Sequence, residues 1–209
     1  MKKLQKITFI LIILLFASCK KNEANIEFDK DIEFNRKVLA EILPSIVDST
    51  CVDARIFSNP PPRYGKSIFD KEGHYVKTDS TKATPEEIKN FKEWKQQISD
   101  AEKDTSKIII AFDPNLPYFI DFKDIKLNGK FKLKNINEFD KENIFERKYK
   151  FNFSGILRVS EIKFDKKLES GILDVGFTCG RLCGYGNKVF IKKVKNKWKI
   201  IKMEETWIS

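Results

Sequence analysis

The hydrophobic period of this chain changes once. Up to about residue 106 apolar side chains recur every three or four residues, and beyond it they alternate. Helices first and strands later, without βαβ alternation, restrict the chain to an α+β class. We therefore expect N-terminal helices packed on a C-terminal antiparallel β-sheet.

In the first half, Ile32, Val38, Leu39, Ile42 and Leu43 form a helical stripe beginning at Asp29. Pro44 is expected to end or kink that helix, because its ring removes a donor and crowds the preceding turn. Pro60-Pro61-Pro62 mark a long irregular stretch, too poor in backbone donors for a central strand. TPEEIKNFKEWKQQISDAEK then announces a second helix. Thr84 can cap it, Pro85 suits its first turn and Glu87 completes a capping box. Its apolar stripe of Ile88, Phe91, Trp94 and Ile98 is expected to lie on the sheet.

In the second half KIIIAF, PYFIDF, FKLKN, YKFNFSGILRV, EIKF, GILDVGFTC, KVFIKKV and KWKIIKM read as strands separated by Gly, Asn and Asp. In GILDVGFTC, Leu173, Val175, Phe177 and Cys179 share one face, with Asp174 and Thr178 on the other. KVKNKWKI reads as a hairpin with Asn196 in its turn.

The N-terminus carries an address. Lys2, Lys3 and Lys6 precede ten apolar residues, Ile7 to Phe16. That run suits a signal-peptide core and falls short of the ~20 residues a spanning helix needs. Ala17-Ser18-Cys19 follows and resembles a bacterial lipobox, with Phe16 where leucine is usual. The expectation is a signal peptide over 1–18, lipidation of Cys19, a polar tether over 19–28 and one domain over 29–209. Acyl chains would hold the protein firmly to a membrane, at about 0.8 kcal/mol per buried CH₂. Residues 1–18 contain three lysines and no acid, so 37 of 40 basic and all 30 acidic residues remain in the 191 that follow. These charges are interleaved, as in KNINEFDKENIFERK, which describes a solvated surface. Nucleic acid is therefore not an expected partner.

The C-terminal quarter, Ser154–Ser209, carries a set of motifs: SGILRVSEIKFD, TCGRLCGYG, KVKNKWKI and the terminal TWIS. It resembles the ending of a group of uncharacterised bacterial secreted proteins and lipoproteins. The lysine- and asparagine-rich composition and the SCKKNEAN start resemble lipoproteins of Bacteroidota. The resemblance implies an envelope location and this strand order, and no particular chemistry.

The reactive readings are poorly supplied with residues. Zinc would need Cys51, His74, Cys179 and Cys183 together, only two of which form a close pair. Thioredoxin-like centres place two residues between their cysteines, and Cys179 and Cys183 are separated by three. A haem anchor needs histidine where Gly184 stands. Cys51 with His74 is the one economical nucleophile–base pair, and no Gly-x-Ser-x-Gly occurs. Gly180, Gly184 and Gly186 with Arg181 could form an anion nest, but phosphate loops precede helices and this one precedes a strand. A tight connection between strands accounts for these glycines better. No cofactor is expected.

For Cys179 and Cys183 a structural latch remains. Fully extended, Cα atoms four residues apart lie roughly 13 Å from each other, so the chain must fold back for a disulfide to form. We expect a Cys179–Cys183 bridge after export, with Cys51 buried and free; Cys51 stands as the rival partner. Arg181 and Tyr185 on the stiffened loop are candidate partner contacts. The functional expectation is a lipid-anchored cell-envelope protein, at the outer membrane, acting as a non-catalytic binding or structural module. Its partner would be another envelope protein or a glycan. An envelope-polymer hydrolase and an immunity-type inhibitor lipoprotein are the alternatives.

Overall fold

The computed structural model describes residues 31–57, 59–121 and 125–209. The signal peptide, Cys19, the tether and the start of the first helix lie outside the described residues. Helix α1 covers residues 31–50, and the four-residue α2 covers Ala54–Phe57. A hairpin of β1 (Lys66–Phe69) and β2 (Tyr75–Asp79) leads through a 3-10 turn to α3 (Pro85–Lys103). The remaining strands are β3 (Ile108–Asn115), β4 (Phe131–Asn135), β5 (Asn152–Ser160), β6 (Lys163–Phe164), β7 (Ser170–Gly180), β8 (Cys183–Val194) and β9 (Lys197–Ile208). They form one seven-stranded sheet in the order β4-β3-β5-β7-β8-β9, with β6 paired to β7.

The α+β class holds, and the sheet is mostly antiparallel. Its exception is β3, which pairs parallel to both β4 and β5. The physical reason is legible in IIIAF: Ile108 to Phe112 are all buried. A strand covered on both faces reads as a continuous apolar run rather than an alternation. One face meets α1. The other meets Ile136, Phe139 and Ile144, from the segment between β4 and β5.

α1 is the helix that lies on the sheet. Val38, Leu39, Ile42, Leu43, Ile46 and Val47 form one core cluster with Phe112, Leu157, Val175, Phe177, Val189 and Ile191. The helix does not end at Pro44 but runs on to residue 50. An interior proline costs ~3 kcal/mol. Ile46 and Val47, fully buried beyond it, each return about 1.5–3 kcal/mol by staying on the sheet, so continuing is favoured. Two polar ties fix the helix: Trp198 N donates to Glu41 Oε1 at 3.0 Å, and the Tyr185 hydroxyl donates to the Thr50 carbonyl.

α3 starts as expected, with Thr84 as cap, a complete capping box and Pro85 in the first turn. Its packing differs from expectation. Phe91 stacks on Tyr64 at 4.6 Å, Trp94 Nε1 donates to the Asn59 carbonyl at 2.9 Å, and Ile88 is exposed. The helix therefore clasps the proline-rich arm 59–65 rather than laying Ile88, Phe91 and Ile98 on the sheet. The sheet face it was expected to cover is already filled by α1.

Two further differences concern strands. The described residues of PYFIDF, 117–121, form no strand, and Ile120 is buried as part of the α1-side core. Conversely β1 and β2 fall in the stretch read as irregular; every one of their residues but Asp79 is exposed, so no buried face marks them in the sequence. The β8–β9 hairpin is as expected. Lys195 and Asn196 both have positive φ, 50° and 62°, as a two-residue turn matched to strand twist requires.

Candidate functional site

Alternation along β7 carries Phe177 and Cys179 to the helix side of the sheet, both buried. Arg181 and Leu182 make the turn, and Cys183 opens β8 opposite Gly180. Cys179 and Cys183 form a disulfide with their Cα atoms 5.1 Å apart. The latch is therefore present, and it clamps the tip of the β7–β8 hairpin.

Two residues beyond Cys183, Tyr185 points to the same side of the sheet. Its ring lies 6.2 Å from Phe57 and 6.1 Å from Phe177. Burial, and next the nearby Cys51, push its hydroxyl up to about 12, so it stays a donor to Thr50 at neutral pH. The C-terminal end of β9 runs alongside. Ser209 N donates to the Gly184 carbonyl at 3.0 Å, which sets Ile208 beside Tyr185.

Between these parts lies an open cleft of about 740 Å³. Tyr185, the disulfide and Leu182 form one wall, Phe57 and Pro60 the second, and Ile208 with Glu205 the third. Leu182 is 90 % exposed, Ile208 70 % and Phe57 55 %. Among the described residues the lining carries one acidic side chain, Glu205, and neither histidine nor a free thiol. Such a surface can take up apolar side chains, with polar groups only at the rim. Of the two expected contact residues, Tyr185 forms the floor, while Arg181 stands at the rim and its Nε donates to Glu146 at 2.7 Å. Phe57, Pro60, Leu182 and Ile208 were not singled out from the sequence. Their one signal is that apolar residues stand on turns and at strand ends, where burial within the chain is not available.

Phe57 is placed by a buried polar joint. Ser154 Oγ donates to the Val52 carbonyl and accepts from Ala54 N, both at 2.6 Å. Gly155 beside it has φ 151°, and a Cβ there would lie 2.3 Å from the Thr178 carbonyl oxygen. Asp53, also buried, binds Arg55 through both carboxylate oxygens and Lys130 at 2.9 Å. Burial opposes its ionisation, but the hydrogen bonds from Arg55 and Lys130 prevail and hold its carboxyl below the usual range. Arg55 reaches on to Asp104 at 2.5 Å, which joins α2 to the end of α3.

The other reactive candidates are not assembled. Cys51 is free and buried; burial, then the charge of Asp48, push its thiol far up, so it is no nucleophile at neutral pH. His74 sits at the exposed β1–β2 turn with Nδ1 3.4 Å from Asp70 and 3.7 Å from Glu72. The four-ligand zinc set fails because two of its sulfurs are joined to each other. Asp70, Glu72 and His74 do offer ligand atoms within 4.8 Å of one another, all exposed. Asp70 Oδ1 already accepts from the Glu72 and His74 amides, which shapes the turn.

The glycines of CGYG serve a purpose other than turning the chain. Gly184 and Gly186 lie within β8, under Trp207, and the turn itself is Arg181-Leu182. No protein-family model, curated protein or solved structure matches the chain.

Proposed function

We propose that this is a lipid-anchored protein of the bacterial cell envelope, held at the outer membrane through Cys19, that binds another envelope protein in the cleft beside the disulfide. The observation that carries the reading is Leu182, 90 % exposed on a turn clamped by the Cys179–Cys183 bridge. A rigid apolar tip over an apolar cleft loses little conformational freedom on binding, which is where affinity is usually lost. The disulfide supports an oxidising compartment, in keeping with the signal-like start and lipobox. The resemblance of Ser154–Ser209 to secreted proteins and lipoproteins points the same way.

An immunity-type inhibitor would use the same cleft and differ only in its partner. A polymer hydrolase is less well supported, since among the described residues the cleft is lined by a single acidic side chain, Glu205. Anchoring is tested by Cys19→Ala, which should abolish labelling by a fatty-acid analogue; continued labelling removes the anchor from the account. Binding is tested by co-purification from crosslinked envelopes. Leu182→Asp with Ile208→Asp should remove the partner recovered with the native protein, and undiminished recovery would contradict the cleft as its seat.

A further inference from the structure

The opposite face of the sheet holds an exposed aromatic ring in an unusual setting. Trp207 is 45 % exposed, and its indole lies across three glycines. A Cβ at Gly186 would fall 2.0 Å from Nε1, one at Gly184 3.2 Å from Cζ3, and one at Gly176 3.5 Å from Cζ2. Gly176 and Gly186 are cross-strand partners, and Gly186 pairs with Trp207. Atoms of both indole rings therefore rest over the backbone of two strands. The ring plane follows the sheet, with one face on the glycines and the other to solvent.

The adjacent row on this face is Asp174, Lys188 and Glu204, paired across β7, β8 and β9. It lies two residues along β7 and β8 and, across a register shift, three along β9, roughly 7 Å away. Asp174 and Lys188 are exposed, and Glu204 pairs with Lys202 at 2.5 Å. The apolar residues of segment 136–151 pack on β3 and β5, and its Glu146 reaches Arg181 at the hairpin tip, while Trp207, Asp174 and Lys188 stay exposed.

We propose that this face binds carbohydrate, specifically a chain of equatorially substituted pyranoses such as β-linked glucose or N-acetylglucosamine. The flat C–H face of such a ring stacks on an exposed indole, which supplies large contact area at low entropic cost. The carboxylates of Asp174 and Glu204 accept from its hydroxyls in charge-assisted hydrogen bonds, and Lys188 donates. A protein partner is disfavoured because interface cores are depleted of charge, whereas here a charged row separates the indole from the next apolar pair, Ile172 and Phe190, over which Lys202 lies. Addition of a strand at β9 is disfavoured by its two register shifts, between Gly186/Asn187 and Phe190/Ile191.

The test is calorimetric titration of the mature protein with tri-N-acetylchitotriose and with cellotriose. At least one should bind saturably, with Trp207→Ala and Asp174→Ala each weakening binding tenfold or more. Gly186→Ala keeps the indole but lifts it from its floor, and should weaken binding as much as removing it. Asp174 is exposed and unburdened by packing, so its variant should keep the native melting temperature and remain informative if the others unfold. Leu182→Asp should leave sugar binding unchanged, which separates this face from the cleft. Failure of the folded native protein to bind either sugar would overturn the proposal. So would binding indifferent to Trp207→Ala and Asp174→Ala, or self-association lost in Trp207→Ala.

Discussion

Ser154→Ala should destabilise the protein more than its size suggests. The hydroxyl donates to the Val52 carbonyl and accepts from Ala54 N, both at 2.6 Å, and Ser154 is 2 % exposed. Each hydrogen bond contributes about 1 kcal/mol net, and a buried backbone group left without a partner costs about 1–3 kcal/mol more. Val52 and Ala54 are only half-buried, so water can reach part of the joint. We expect a loss of about 2–3 kcal/mol, a sizeable share of the 5–15 kcal/mol typical of a domain. Urea unfolding followed by circular dichroism measures it through the midpoint at constant slope. Because the joint begins α2, Ser154→Ala should also loosen Phe57 and weaken partner binding in the cleft. A loss below about 1 kcal/mol would refute the view that this serine bridges the two halves of the fold.

Thr84→Ala, at the exposed capping box of α3, should cost only about 1 kcal/mol in the same assay; a larger loss than Ser154→Ala would reverse the ranking. Non-reducing peptide mapping should recover a Cys179–Cys183 link, and Cys51 should react with thiol reagents only on unfolding; a Cys51 disulfide would contradict both. Reducing the bridge should cost less than the ~3 kcal/mol that chain entropy assigns to a 15-residue loop, since its ring is shorter. The carboxyls of Asp53 and Asp104 are held low, so ionised they favour the folded state. Asp104 is lowered first by its hydrogen bond from Arg55, then by those from Ser106. Their stabilisation is full above the unfolded value near 3.9 and is lost as pH falls through the lowered folded values. Asp53→Asn should flatten the acid limb of the stability curve, and an unchanged limb would count against the pairing.

Much of the framework was legible because it rests on local signals. The switch of period, the Thr84–Glu87 capping box, the Asn196 turn and the Cys179–Cys183 bridge need only neighbouring residues. The misreadings involve competition over distance. Pro44 stays helical because Ile46 and Val47 gain more on the sheet than the proline costs. The parallel pairing of β3 was signalled by its unbroken apolar run, but its partners arrive through segments 116–130 and 136–151, which carry no helix pattern. The exposed β1–β2 hairpin has no buried face to announce it. The cleft was the least legible part. Its walls come from α2, the proline arm, the β7–β8 tip and the end of β9, and only folding brings them together. The glycines at 184 and 186 were read as part of a tight connection between strands; they lie instead within β8, under Trp207 from the far end of the next strand.

Site-specific photocrosslinking in intact envelopes reports whether a partner protein docks in the cleft beside the disulfide. A photoreactive amino acid is placed at 182, on the exposed tip, or at 166, in the exposed turn between β6 and β7. A discrete crosslinked species is expected from position 182, absent from position 166 and lost when Ile208→Asp is introduced. Equal crosslinking from both positions, or a product from 182 indifferent to Ile208→Asp, would contradict docking there.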